Sequence, residues 1–310
     1  MNLFRFAAGI AAVVALLCPA RPVLGQDTLA RVTLTSEPVP LTEGAVGWLL
    51  VRLAGTDSLT GGEARGEPIH FEPAGTEREY RAIVAVPIES ADSLPVSLYL
   101  SRDSGVVDTV AGTLAVRQAG YPREVLAVAP KFAKPDSVAA TRIRRENARS
   151  RLVSLASRNR PRLWHGPFRL PRDSRITSAF GAARVYNGVV RSRHLGTDFA
   201  GAVGTPVLAA GRGVVAMVAD FYLAGKAVYV DHGQGMVTAY FHLSRAEVTA
   251  GDTVTAGQRI GAVGQSGRVT GPHLHWVARF GTIAVDPISL LTLEKGEAAR
   301  IAPDSSSRAQ

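Results

Sequence analysis

The chain has 310 residues, 46% of them hydrophobic, which is enough for one or two domains with cores of their own. Lys and Arg outnumber Asp and Glu by 35 to 26, for a formal net charge of +9. The excess is mostly arginine between Arg142 and Arg175, without the interleaved aromatics of a nucleic-acid stripe. This pattern argues against nucleic acid as a partner and leaves a basic soluble surface, or attraction to an anionic wall polymer.

The N-terminus, residues 1–25, reads as a secretory signal peptide. Arg5 supplies the positive start, and Phe6 to Leu17 is an apolar run too short to span a bilayer. Val23-Leu24-Gly25 precedes a cut ahead of Gln26. The single cysteine, Cys18, lies inside this segment, and the bulky Leu17 before it spoils a lipid-attachment box. The mature chain is thus expected to have no cysteine, no transmembrane span and an exported location, in the periplasm or cell envelope.

Residues 26–118 alternate apolar and polar in short runs: Arg31 to Thr35, Gly47 to Leu53, Tyr80 to Val86, Val96 to Leu100 and Val106 to Val116. Turn clusters such as Gly61-Gly62 separate them, a pattern that predicts an N-terminal β-sandwich. His70 stands alone there and reads as structural. The domain is expected to be a spacer, a binding module or a cover.

Residues 119–171 form a connector with one predicted helix, capped by Ser137 and running to about Ser157. Ile143, Ala148, Leu152 and Leu155 offer a narrow apolar stripe amid arginines. A solvated helix lying over the next domain is the expected role, ahead of a basic arm that gates substrate. Trp164 and Phe168 are expected to anchor the extended stretch that follows, and His165 has no evident partner.

Residues 172–294 are rich in glycine and in short strands, which predicts a second all-β domain; 295–310 reads as a flexible tail. Three pieces there carry the chemistry: His194-Leu195-Gly196-Thr197-Asp198, Tyr240-Phe241-His242-Leu243 and Gly271-Pro272-His273-Leu274-His275. Histidines plus one carboxylate suit zinc, which keeps a position for water in catalytic sites. Alternate residues of a strand share a face, so His273 and His275 should enter one cleft, one able to bind metal while the other stands beside bound water. The same parity is expected to pair Tyr240 with His242. His232, in Asp231-His232-Gly233, reads as a hairpin-turn residue, and the glycines lack the Gly-Lys-Ser/Thr of a phosphate loop.

Together, from Ile176-Thr177-Ser178-Ala179-Phe180-Gly181 to Asp286-Pro287, these pieces resemble the lysostaphin-type zinc metallopeptidases of family M23, which cut peptidoglycan cross-bridges. The resemblance implies a C-terminal duplicated-hybrid-motif domain of barrel-sandwich type, so the whole chain is expected to be mostly β. It also implies one Zn2+ per chain on His194, Asp198 and His275, with His242 and His273 acting in catalysis. Tyr186 is the nearest candidate for the tyrosine that some members use to steady the intermediate, and Asn187 and Arg191 on the same loop are candidate substrate contacts. The implied reaction is hydrolysis of peptidoglycan stem-peptide cross-links during wall remodelling or division. A D,D-endopeptidase acting on direct cross-links is the natural form if the cell is diderm, with room for an envelope regulator if the connector covers the cleft. A non-catalytic member of the same fold is the alternative, and the intact ligand set argues against it.

Overall fold

The computed structural model describes residues 31–102, 105–186, 188 and 190–293, without the side chains of 190 and 191. The expected signal peptide 1–25, with Cys18, and the tail 295–310 lie outside the described residues. The molecule is mostly β. No helix among the described residues is long and apolar enough to cross a membrane.

The N-terminal part is a two-sheet sandwich. One sheet runs in the order Val32–Glu37, Val46–Leu53, Glu79–Ala85, Glu72–Pro73; the other runs Leu41–Thr42, Val107–Arg117, Ser93–Ser101, Ser58–Ala64, Glu67–Pro68. Leu49, Val51 and Val84 from the first sheet and Leu94, Leu98 and Leu114 from the second are buried in one cluster between them. The alternation in the sequence is the cause, since each strand gives one face to this cluster.

The opposite face of Val46–Leu53 and Glu79–Ala85 is also buried. Val46, Trp48, Ile83 and Ala85 belong to the same core cluster as Phe199, Tyr240, Trp276, Leu290 and Leu293 of the C-terminal domain. The Trp48 indole N–H donates to the Leu293 carbonyl at 2.6 Å, and the Asp286 amide donates to the Gly44 carbonyl at 2.6 Å. Trp164 and Phe168 insert into this cluster as expected, at 1% and 4% exposure, and His165 is exposed.

The connector differs from expectation in four ways, the first being a second, short helix at Pro130–Ala133. Its long helix, Ser137–Ser157, is capped by Asp136, whose carboxylate accepts from the Ala139 amide at 2.8 Å; Ser137 is the first helical residue. The buried face is Ala139, Glu146, Ser150, Ser154 and Ser157, whereas Leu152 is exposed. Small side chains let the helix lie close over strands Gly213–Phe221, Gly225–Gly233 and Met236–Ala246, and the Ser157 hydroxyl donates to the Asp231 carboxylate at 2.5 Å. Finally, Arg123–Leu126 is a strand. It pairs in parallel with Ala183–Tyr186, which in turn pairs with Val190–Arg193.

The C-terminal domain is built on one large sheet in the order Ile176–Ser178, Thr197–Ala200, His273–Phe280, Met236–Ala246, Gly225–Gly233, Gly213–Phe221, Thr253–Val254. Arg259–Val263 adds to Met236–Ala246 and also pairs with Pro206–Leu208. Gly225–Gly233 and Met236–Ala246 form a hairpin, and a strand begins at Thr197.

Candidate active site

Thr197–Ala200 runs antiparallel to His273–Phe280 with Asp198 opposite His275 and Ala200 opposite His273. Cross-strand partners share a face, so this register places carboxylate and imidazole side by side. His275 Nδ1 lies 2.6 Å from Asp198 Oδ1. His194, just before the strand that starts at Thr197, brings its Nε2 to 3.1 Å from Asp198 Oδ1 and 3.0 Å from His275 Nδ1. Gly196 makes this approach feasible: a Cβ there would sit 2.6 Å from His275 Cε1 and 2.6 Å from the Trp276 carbonyl oxygen.

The donor set fits a metal ion. The His194 Nδ1–H donates to the Ala179 carbonyl at 2.8 Å, so its Nε2 carries a lone pair. Burial pushes His275 down to about 4, which keeps a neutral imidazole despite the neighbouring carboxylate. Burial alone would raise the Asp198 carboxyl, but His275 and His194 hold it well below the usual carboxylate range. The three atoms crowd one point, as the corners of a tetrahedral site with bonds of roughly 2.0–2.2 Å would. The second Asp198 oxygen is taken by Arg184, which donates to Oδ2 at 2.7 Å. Arg184 also reaches Glu124 Oε2 at 3.0 Å and Ser178 Oγ at 2.7 Å. A residue of the connector strand therefore helps fix the orientation of the aspartate, as outer partners of metal ligands do.

His242 and His273 stand beside this set. Each has Nδ1–H committed to a carbonyl at 2.8 Å, Ser266 for His242 and Gly271 for His273, so each turns a lone-pair Nε2 outward. Their ring centroids are 4.9 Å apart, and His273 Nε2 is 3.8 Å from Asp198 Oδ1. Burial, then His275 and His273, push His242 well below the usual histidine range, so it is a neutral base.

Strand parity does not explain His242. Tyr240 lies in the core with 0% exposure, its hydroxyl accepting from the Ala210 amide at 2.7 Å. Phe241 and His242 both face the cleft, and Phe241 stacks on His275 with centroids 5.4 Å apart. The cause is a break in register between Tyr240 and Leu243 against Gly225–Gly233, with His242 in the left-handed region at φ 62°. The His242 amide donates to the Ala224 carbonyl at 2.9 Å and holds that turn.

Tyr186 is buried, with the Arg268 guanidinium 4.4 Å above its ring. It lines clefts on both sides of the site, as do Arg184, Arg268 and His242. One cleft, of about 190 Å³, runs under the connector helix past Ile143 and Ser150; the other, of about 600 Å³, opens toward Glu124 and Thr270. Asn187 lies outside the described residues. Arg191 is in the Val190–Arg193 strand, and its side chain is not described. His70 lines neither cleft. His232 is fully buried at a strand end, not in a turn, with Nδ1–H donating to the Arg212 carbonyl at 2.8 Å and Nε2 facing Thr238 Oγ1 at 2.8 Å.

Arg184, Glu124, Arg268 and Phe241 escape a reading of the sequence. Phe241 sits inside one of the three chemical pieces and Arg184 close to another, but Glu124 reaches the site through a parallel pairing that no local pattern announces.

Comparison with known proteins agrees with this geometry. Residues 192–287 match the model of peptidase family M23. A 111-residue stretch is 48% identical to the peptidoglycan DD-endopeptidase ShyA of Vibrio cholerae, covering 35% of this chain and 26% of ShyA. Over 118 residues the chain is 41% identical to the DD-carboxypeptidase/endopeptidase Mpg of Neisseria meningitidis, covering 38% of this chain and 27% of Mpg. The matched stretch thus spans about a quarter of the length of these relatives. A crystal structure of a peptidase M23 from Pseudomonas aeruginosa superposes with a TM-score of 0.61 at 27% identity, over 81% of this chain and 95% of that one. The three candidate metal-binding residues and the two histidines beside them all fall within residues 192–287, the stretch that matches the model of peptidase family M23.

Proposed function

We propose that the protein is an exported zinc-dependent endopeptidase that hydrolyses peptide cross-links of peptidoglycan. The observation that carries this reading is the convergence of His194 Nε2, Asp198 Oδ1 and His275 Nδ1 beside two histidines whose Nδ1–H groups are spent on backbone carbonyls, leaving lone pairs on Nε2. Zinc, when bound, polarises an amide carbonyl and lowers the pKa of water to about 7. The chain's own groups do the rest. His242 and His273, within one cleft, accept the proton of the attacking water and return one to the leaving amine. Both are held by backbone carbonyls, so little reorganisation accompanies the transfer. In this reading Tyr186, which lines both clefts, donates its hydroxyl to the carbonyl oxygen, and Asn187 and Arg191 are substrate contacts. There is no His-Glu-x-x-His in the sequence, so the histidines replace the glutamate base of other zinc peptidases.

The names of the matched relatives support peptidoglycan as substrate and a D,D bond as the target. The N-terminal signal pattern supports export to the periplasm or cell envelope. Zymography with purified sacculi tests the proposal: a clearing band is expected, lost with chelator and restored by Zn2+. Mass spectrometry of the released fragments then names the bond. Metal-loaded protein that leaves sacculi intact would rule the reading out.

A further inference from the structure

Two arginines in the cleft under the connector helix have no carboxylate partner among the described residues. Arg268 sits where the two clefts meet, beside His242, its guanidinium stacked on Tyr186. Arg279 lies on the strand of His275, and the alternate residues His275, Val277 and Arg279 all line this cleft. Four strand residues place its Cα roughly 13 Å from that of His275.

The other charges along this cleft are already neutralised. Glu146 accepts from Arg142 Nε at 2.6 Å and from the Tyr222 amide at 2.7 Å. Arg184 is held by Glu124 and Asp198. Burial disfavours the charge on Arg268 and on Arg279, and Arg184 and Arg151 respectively add repulsion. A half-buried guanidinium without an anion is costly, and a carboxylate matches its planar fork in two hydrogen bonds. The remaining floor, Phe241 and Val277 among it, is apolar and suits the body of a peptide.

We propose that this cleft is a binding subsite for an acidic peptide. Arg268 takes a free carboxylate next to the scissile amide, and Arg279 takes a second one about four residues further along. The inference rests on the endopeptidase reading and deepens it by giving the substrate's charge and the residues that read it.

The test uses zinc-loaded full-length protein and two synthetic peptides in which the scissile amide is replaced by a non-hydrolysable reduced bond. The peptides differ in one group: the residue after that bond carries a free carboxylate or a primary carboxamide. Calorimetric titration is expected to show the acid binding about tenfold tighter or better, as a charge-assisted pair would give. Arg268→Gln is expected to reduce that preference to within about twofold, and Arg268→Lys to keep part of it. Arg279→Gln should leave the preference intact and weaken a longer peptide with a distal carboxylate by about tenfold. Equal affinity of the wild type for acid and amide overturns the proposal without recourse to any variant, and a preference that survives Arg268→Gln overturns the assignment. Cleavage of the natural amide is scored separately. Selective binding without cleavage would refute the endopeptidase reading and leave the carboxylate subsite standing.

Discussion

His232 and the histidines of the cleft lie in one domain and behave in opposite ways. His232 is saturated by the chain. The Ala210 amide donates to the Tyr240 hydroxyl, Tyr240 lies 3.0 Å from Thr238 Oγ1, and Thr238 lies 2.8 Å from His232 Nε2, while Nδ1–H is spent on Arg212. In the cleft, His194, His242 and His273 each spend one nitrogen on a backbone carbonyl and leave the other aimed at shared space. His194 and His242 are buried like His232, and His273 only partly so, so burial alone does not make a site. The difference is one uncommitted nitrogen per ring, which costs stability unless a metal, a water or a substrate completes it.

That difference can be broken from either side. The largest expected effect is from His275→Ala, which should take metal content by elemental analysis from one per chain to none and abolish muropeptide release. A metal-free variant at full rate would overturn the ligand assignment. His273→Ala should keep its metal and lose about 10²- to 10⁴-fold in turnover, the range for removing a general acid or base. If metal is lost as well, His273 belongs with the ligands. Gly196→Ala should fold and yet bind metal about tenfold more weakly or worse, read by competition with a chromophoric chelator, because its Cβ displaces the His275 ring.

His232→Ala should do the reverse. It should leave metal stoichiometry unchanged and lower the unfolding free energy by about 2–4 kcal/mol in urea, by leaving a cavity and stranding Thr238 and Arg212. The same residue predicts a pH effect. Burial pushes its pKa down to about 4, from 6.5 in the unfolded chain. Between those values the unfolded state binds the extra proton, so stability is full above about pH 6.5 and falls as pH drops toward 4, by up to about 3 kcal/mol. His232→Gln should flatten that slope in chelated protein, and an unchanged slope would dismiss the assignment.

The candidate site is legible in the sequence because its members lie in short pieces, with a glycine before Thr197 and strand alternation through His273 and His275, while the division of those two histidines between metal and catalysis comes from the family resemblance. The aim of His242 is not, because a register break and a left-handed backbone override alternation at that residue. The connector helix misleads for a related reason. Its fully buried residues are Ala139, Glu146, Ser150, Ser154 and Ser157, none of them on the expected apolar stripe, and Leu152 is exposed. Arg184, Arg268 and Arg279 carry no local signal. What marks them is the presence or absence of a carboxylate across space, and that is settled only by how distant strands meet.

The bond from Trp48 to Leu293 bears on how fragments of this protein should be cut. Val46, Trp48, Ile83 and Ala85 are bricks of the same wall as Phe280, Leu290 and Leu293. An excised peptidase beginning near residue 172 would turn that wall outward as an apolar patch of the kind that drives aggregation. Soluble expression of such a piece would require polar replacements on its rear surface, whereas a fragment that keeps the sandwich would not. The N-terminal domain is in this sense a permanent backing to the peptidase, and grafting it onto another enzyme would transfer an adhesive face before any function.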